Sequence, residues 1–181
     1  MHIRRTIPLT LLSLALLLLS ACSTSPPPGV TPVQPFDIKR YAGHWYEIAR
    51  LDHPFERGLS RVSADYAIND DGTVQVTNRG YDAKKNKWDE AVGKARFGGA
   101  SDVGSLEVSF FGPFYGGYHV VALDKDYGWA MVIGNNRNYL WILARQPVLD
   151  DAVLQPLLRQ AQELGVATDK LIWVDQQGAD Q

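Results

Sequence analysis

Apolar and polar residues alternate with a period of two through most of this chain. From Arg61 to Ile68 the pattern places Val62, Ala64, Tyr66 and Ile68 on one face and Arg61, Ser63 and Asp65 on the other, as in a half-buried strand. The stretch NDDG predicts a hairpin turn, and Thr73–Asn78 a return strand with Val74 and Val76 on the same side. Further strands are predicted at Trp45–Leu51, Trp88–Phe97, Ser105–Phe111, Tyr118–Leu123, Trp129–Ile133 and Tyr139–Ala144, separated by KKNK, GGASDVG, GPFYGG, DKDYG and GNNRN. Strands joined by short turns, with no crossover helices, predict an all-β fold: an eight-stranded antiparallel up-and-down β-barrel. The period changes once. Between Asp150 and Leu164 the residues Val153, Leu154, Leu157, Leu158, Ala161 and Leu164 form a helical stripe, with Asp150 or Asp151 as cap and Gly165 as stop. Pro156 belongs near the first turn or at a kink. A single apolar face predicts a C-terminal α-helix packed outside the barrel, and Lys170–Asp175 reads as a last short strand.

The N-terminus has a different pattern. Arg4 and Arg5 precede an apolar run of 13 residues, Ile7–Leu19, and the small residues of Leu19-Ser20-Ala21-Cys22 follow. A membrane-spanning helix needs roughly 20 apolar residues, so residues 1–21 read as a secretion signal. Leu19–Cys22 resembles the bacterial lipobox, which implies that Cys22 is acylated and becomes the new N-terminus. Ser23, in place of an aspartate, resembles the sorting pattern of outer-membrane lipoproteins. Cys22 is the sole cysteine, so no intramolecular disulfide is available. Residues 22–35 are rich in Pro, Ser and Thr and predict a semi-extended tether standing the domain off the membrane; residues 36–176 form the domain and 177–181 a tail.

Loss of residues 1–21 leaves 16 basic against 20 acidic side chains, a net charge of about −4. That balance argues against nucleic acid, which calls for a basic patch. Enzyme chemistry is not expected either. His44, His53 and His119 lack metal-ligand spacing, G-x-S-x-G is missing, and the single cysteine is committed to the anchor. No cofactor is implied.

Three motifs then bring a family into view. Gly43-His44-Trp45, opening the first strand, resembles the G-x-W motif of lipocalins. Leu123–Val132 is similar to their second signature, with Asp126-Tyr127 matching its Asp-Tyr pair. Arg145, directly after YLWILA, stands where the family carries the arginine lying over the tryptophan at the barrel's closed end. ARLDHPFERG, SFFGPFYGGY and NYLWILAR resemble the bacterial outer-membrane lipocalins, in the branch that includes apolipoprotein D. Gly128-Trp129 departs from the charged residues that relatives often carry there. Physically, an indole plugging the base and a guanidinium on its face are structural parts first, and ligand contacts only secondarily.

Alternation, with the lipocalin topology fixing the ambiguous choices, gives an inward set: Ala64, Tyr66, Val74, Val76, Asn78, Ala91, Gly93, Ala95, Leu106, Val108, Phe110, Tyr118, Val120, Ala122, Met131, Ile133, Tyr139, Trp141 and Leu143. An eight-stranded barrel is wide enough to be filled by side chains or to hold one small ligand. The small residues from Ala91 to Ala95 favour a void with Trp141, Phe110 and Tyr139 opposite; the other packing has the large aromatics filling that space. Asn78 either orients a ligand polar group or bonds Tyr66 or a water. Phe55, Phe114 and Tyr115 are placed on the entrance rim. Arg57, Lys84, Lys85, Lys87 and Arg137 share the open-end loops with Asp52, Glu56 and Asp82, a locally basic balance suited to an acyl chain with an anionic head.

The expected ligand contacts are therefore Phe114 and Tyr115 with the inward residues, leaving out Val74, Leu106, Ala122 and Leu143. The expected ligand is a fatty acid or lysophospholipid. A rival reading makes the aromatic loops a docking site for a protein partner or a second copy, as in a homodimer.

Overall fold

The computed structural model describes residues 24–178. The predicted signal segment, Cys22 and the last three residues lie outside the described residues. A short helix, α1 (Ile38–Tyr41), leads into β1 (Gly43–Arg50), β2 (Leu59–Ile68), β3 (Val74–Asp82), β4 (Lys87–Phe97), β5 (Ser105–Phe111), β6 (Phe114–Leu123), β7 (Trp129–Ile133) and β8 (Leu140–Ala144). Each strand pairs antiparallel with the next, and β1 pairs with both β8 and β2, which closes an eight-stranded barrel. The C-terminal helix α2 (Asp151–Glu163) is followed by β9 (Ile172–Trp173), which adds to the outside of β1. The aromatic stretch predicted as a turn is mostly strand: Phe111 pairs with Phe114, and only Gly112 and Pro113 connect β5 to β6.

Helix α2 buries Leu154, Leu157 and Ala161 and continues through Pro156. Its apolar face packs with Val121, Ala122, Met131, Ile133, Leu140, Ile142 and Ala144 on the outside of β6 to β8. These strands are therefore covered on both faces and read as nearly continuous apolar runs, in which alternation carries no phase. Here the expected inward set is corrected. Val132 pairs with Trp141 inside the barrel, while Met131 pairs with Ile142 beneath the helix, so Met131 and Ile133 face outward. A bulge between Val120 and Ala122 shifts the register of β6 and turns Ala122 to the helix side as well.

One end of the barrel is packed shut. Phe36, Tyr41, Trp45, Val74, Ala95, Leu106, Val120, Tyr127, Val132 and Leu143 form one buried cluster there. The Trp45 indole donates to the Tyr41 carbonyl at 2.7 Å, and the Arg145 guanidinium lies 3.8 Å from the indole centroid. Arg145 also donates to the carbonyls of His44, Arg40, Tyr41, Ala42 and Tyr127 at 2.6–3.3 Å. Gly43 has φ +94°, so the first position of G-x-W needs the left-handed backbone that glycine adopts freely.

The Pro-rich segment does not stand free. Val33 and Phe36 make backbone bonds to Val120, Gly104 and Asp102, and Val30 is buried under the helix-side core. Arg137 donates to the Pro28 carbonyl and the Thr24 hydroxyl to Glu107, so the chain from Thr24 to Phe36 is docked along the barrel wall.

Replacing Arg145 by Ala removes the cover of Trp45 and leaves several carbonyls without a donor. Arg145→Ala is expected to destabilise by about 2–4 kcal/mol. In thermal unfolding followed by circular dichroism this is a fall in Tm of roughly 5–15 °C. Arg145→Lys, with one point charge instead of a planar fork, should recover only part of it.

Candidate functional site

Above the packed end the barrel holds a cavity of about 650 Å³, within the size range of small-molecule sites. Its floor is a trio of tyrosines. The Tyr118 hydroxyl sits 2.6 Å from that of Tyr41 and 2.8 Å from that of Tyr66, and Tyr41 stacks on Trp45 with ring centroids 4.8 Å apart. Burial raises all three phenol pKa values well above the ordinary one, so the floor is neutral and polar.

Most of the residues expected inside line this space: Tyr66 and Tyr118 at the floor, Ala64, Val76, Asn78, Ala91 and Val108 along the sides, and Phe110, Phe114, Tyr115, Tyr139 and Trp141 as well. Asn78 does not bond Tyr66, whose hydroxyl is taken by Tyr118. The remaining expected contacts lie elsewhere. Ala95 and Val120 are part of the closed-end packing, and Met131 and Ile133 face the helix.

Gly93 is screened by Phe110. A Cβ on Gly93 would come within 2.8 Å of the Phe110 ring and 2.7 Å of the Ser109 carbonyl oxygen, so the ring lies flat against the thin part of the wall rather than opposite it. The reason is a gap in the sheet. β4 pairs with β5 only from Lys94 to Phe97; above that point Phe110 occupies the space between the strands.

The opposite wall carries a buried charged group that alternation did not single out. Glu47, Arg50, His53 and Glu56 are nearly inaccessible, and Glu47, His53 and Glu56 line the cavity. Arg50 donates to Glu47 at 2.7 Å and to the carbonyls of Glu56 and Leu59. Glu56 Oε2 lies 3.0 Å from His53 Nε2 and accepts from the Trp141 indole at 3.3 Å. His53 is ringed by Phe55, Tyr139 and Trp141, with centroids 5.2–5.9 Å away.

Burial, reinforced by the Glu56 charge, holds the Glu47 carboxyl well above the usual carboxylate range against the pull of Arg50. Burial pushes Glu56 up as well, but the close approach of His53, with Glu47 and the Trp141 indole beside it, outweighs burial and holds Glu56 below its ordinary value. The two carboxyls titrate as a pair, with the proton favoured on Glu47 over Glu56. A signal for Glu47 was present in the sequence: it follows Trp45 by two residues and so shares its inward face.

Of the basic rim expected at the open end, Arg57, Lys85 and Lys87 are paired with carboxylates. Arg57 pairs with Asp52 at 2.9 Å, Lys85 with Asp82 at 2.8 Å and Lys87 with Asp89 at 2.7 Å, while Arg137 is spent on the Leu164 and Pro28 carbonyls. The charged residues on the cavity surface itself are Glu47, Glu56, Asp89 and Glu90 against Arg79 and His53.

The family model of the lipocalin-like domain matches residues 36–176. The chain belongs to the lipocalin family. It is 51% identical over 176 residues to the outer membrane lipoprotein Blc of Escherichia coli (strain K12), covering 97% of this chain and 99% of that protein. To the outer membrane lipoprotein Blc of Vibrio cholerae serotype O1 it is 48% identical over 167 residues, 92% of this chain and 97% of that protein. Insecticyanin from the tobacco hornworm Manduca sexta shares the fold, with a TM-score of 0.66 at 23% identity over 86% of this chain and 89% of that one. As a lipocalin the protein has a barrel of the kind that takes small hydrophobic ligands.

Two pairs of measurements test this geometry. Ala91→Trp should fill the cavity and abolish acyl-chain uptake with Tm close to the parent's, whereas Ala95→Trp should overpack the closed end by about 1–3 kcal/mol and lower Tm. For the carboxyl pair, the folded chain binds a proton at Glu47 that the unfolded chain releases near its ordinary pKa of 4.5. Glu47 therefore contributes stability that is fully present below that value and is lost as pH rises towards the raised folded value. Glu47→Gln keeps the hydrogen bond without the titration, so Tm measured across the range above pH 4.5 should fall less steeply with pH than in the parent.

Proposed function

We propose that this lipocalin is a membrane-anchored lipid-binding protein that binds, stores or transports fatty acids or lysophospholipids in the bacterial cell envelope, and that it performs no chemistry on them. The observation that carries the reading is the cavity of about 650 Å³, apolar along its sides and closed at the bottom by the Arg145–Trp45 plug. An acyl chain fits such a tube, with its head at the mouth. Between the two ligand classes the charges favour the lysophospholipid. A free carboxylate would meet the carboxylates of Glu56 and Glu90, whereas a zwitterionic head brings an ammonium to them and to the aromatic residues around His53.

The anchor reading rests on Leu19-Ser20-Ala21-Cys22 and on two similar proteins named outer membrane lipoprotein. Acylated Cys22 would hold the chain in the outer membrane through two or three acyl chains, enough for stable attachment. A second reading, an interaction lipoprotein whose aromatic loops dock a protein or a second copy, is favoured by the exposure of Phe55, Phe111 and Phe114.

Native mass spectrometry of the Cys22→Ala chain, delipidated and then offered lipids, separates these readings. One zwitterionic lysophospholipid per barrel, retained in preference to a fatty acid, is expected; a barrel that keeps no amphiphile favours the interaction reading. In cells, Cys22→Ala should move the protein from the membrane fraction to the soluble periplasm with its fold intact, and continued sedimentation with membranes would count against acylation.

A further inference from the structure

We propose that the open end of the barrel docks on the bilayer surface that holds Cys22, with Phe55, Phe111 and Phe114 in the headgroup layer and the cavity mouth facing the lipid. This rests on the anchor reading above and adds an orientation to it.

The first observation is where the tether begins. Thr24 lies on the outside of the wall formed by β5 and β6, its hydroxyl bonded to Glu107. Its carbonyl oxygen lies 2.6 Å from where a Gly117 Cβ would be, beside His119 Nε2 and the Asn135 amide. The absence of a side chain at Gly117 is what lets the tether backbone cross there. His119 is buried against this crossing, facing the backbone of Thr24 and Ser25 while its Nδ1 sits 3.0 Å from the Ser105 hydroxyl.

The second observation is distance. Cys22 is two residues from Thr24, a reach of at most about 7 Å. Along β6, Gly117 is three positions from Phe114 at the mouth and six from Leu123 at the closed end, about 10 Å and about 20 Å respectively. A tether docked at Gly117 cannot carry the acyl group to the closed end, so the anchor belongs to the open half.

The third observation is what the open end presents. Phe55, Phe111 and Phe114 are 71–73% exposed, at the tips of the β1–β2 and β5–β6 connections that flank the mouth. Exposed aromatic residues clustered at one end of an acidic soluble domain mark a surface that something covers. A membrane already tethered within a few ångströms is present at very high effective concentration, and phenylalanine is suited to the acyl–headgroup boundary. Docking in this pose lets an amphiphile pass from leaflet to cavity without crossing water.

The test uses the full acylated chain in vesicles of phosphatidylethanolamine and phosphatidylglycerol, labelled with an environment-sensitive dye at Phe114→Cys or, at the closed end, at Asp126→Cys. With spin-labelled lipids, quenching at position 114 should exceed that at 126 several-fold. A flexible Gly-Ser insertion between Ser23 and Thr24, far from the cavity, should bring the two positions towards equality. Equal quenching without the insertion, or stronger quenching at 126, overturns the proposal. A shielded dye at 114 that lipid quenchers do not reach also overturns it, in favour of a protein partner or a second copy. A chain that does not stay with the vesicles removes the anchor and the proposal with it. The measurement needs no bound ligand, so its failure is separate from a failure of lipid retention in the delipidated chain.

Discussion

The stacking of Arg145 on Trp45 is the contact from which the rest of this barrel takes its shape. One guanidinium ties together the carbonyls of α1, the start of β1 and the β6–β7 turn while it covers the indole from below. The carbonyls it satisfies belong to chain ends that would otherwise be left without donors at a partly buried position. With that end fixed, Tyr41 is pinned on Trp45, and Tyr66 and Tyr118 are pinned through it by hydroxyl bonds. The cavity therefore has a neutral, hydrogen-bonded floor. The exposed aromatic tips Phe55, Phe111 and Phe114 fall at the other end.

How legible this was depended on how many faces each strand buries. β2 and β3 bury one face, and for them alternation identified Ala64, Tyr66, Val76 and Asn78 as cavity-lining positions. β7 and β8 are covered by α2 outside and packed against the core inside, so both phases are apolar and the choice for Met131 and Ile133 had no local basis. In β6 a bulge reverses the phase part-way along, and no residue of HVVAL announces it. The three short motifs fared better, because Gly43, Trp45 and Arg145 are defined by what each physically requires of the others.

The buried charges were illegible for a different reason. LDHPFERG reads as a solvated loop, since aspartate, histidine, glutamate and arginine near glycine and proline normally are. In the folded chain it splits: Asp52 and Arg57 remain at the surface as a pair, while His53 and Glu56 fold inward onto Trp141 and the Arg50–Glu47 pair. Taking such groups out of water is costly unless every charge meets an opposite charge or a proton. Here Arg50 meets Glu47 and Glu56 lies beside His53, while burial next to the Glu56 charge favours the proton on Glu47. The arrangement is a polar wall that gives an otherwise apolar tube one side able to meet a polar head.

The Pro-rich segment shows the limit of compositional reading most clearly. Its lack of periodicity suits a spacer, and in isolation it has too little apolar surface to fold. What orders it is the barrel: Val30 enters the core beneath α2, Val33 bridges Gly104 and Val120, and Thr24 crosses at Gly117. Each proline lowers the freedom lost on docking, because its φ is already fixed, so a segment that looks like a loose linker is cheap to immobilise. A docked tether changes what an acyl anchor does. A free spacer would let the barrel tumble above the membrane with its mouth in any direction, whereas a chain fixed to the wall on the open side restricts the rotation that the anchor leaves. Restricting it costs orientational entropy once, in folding, instead of at every encounter with lipid. The same barrel that closes one end with Arg145 thus gains a preferred direction for the end left open.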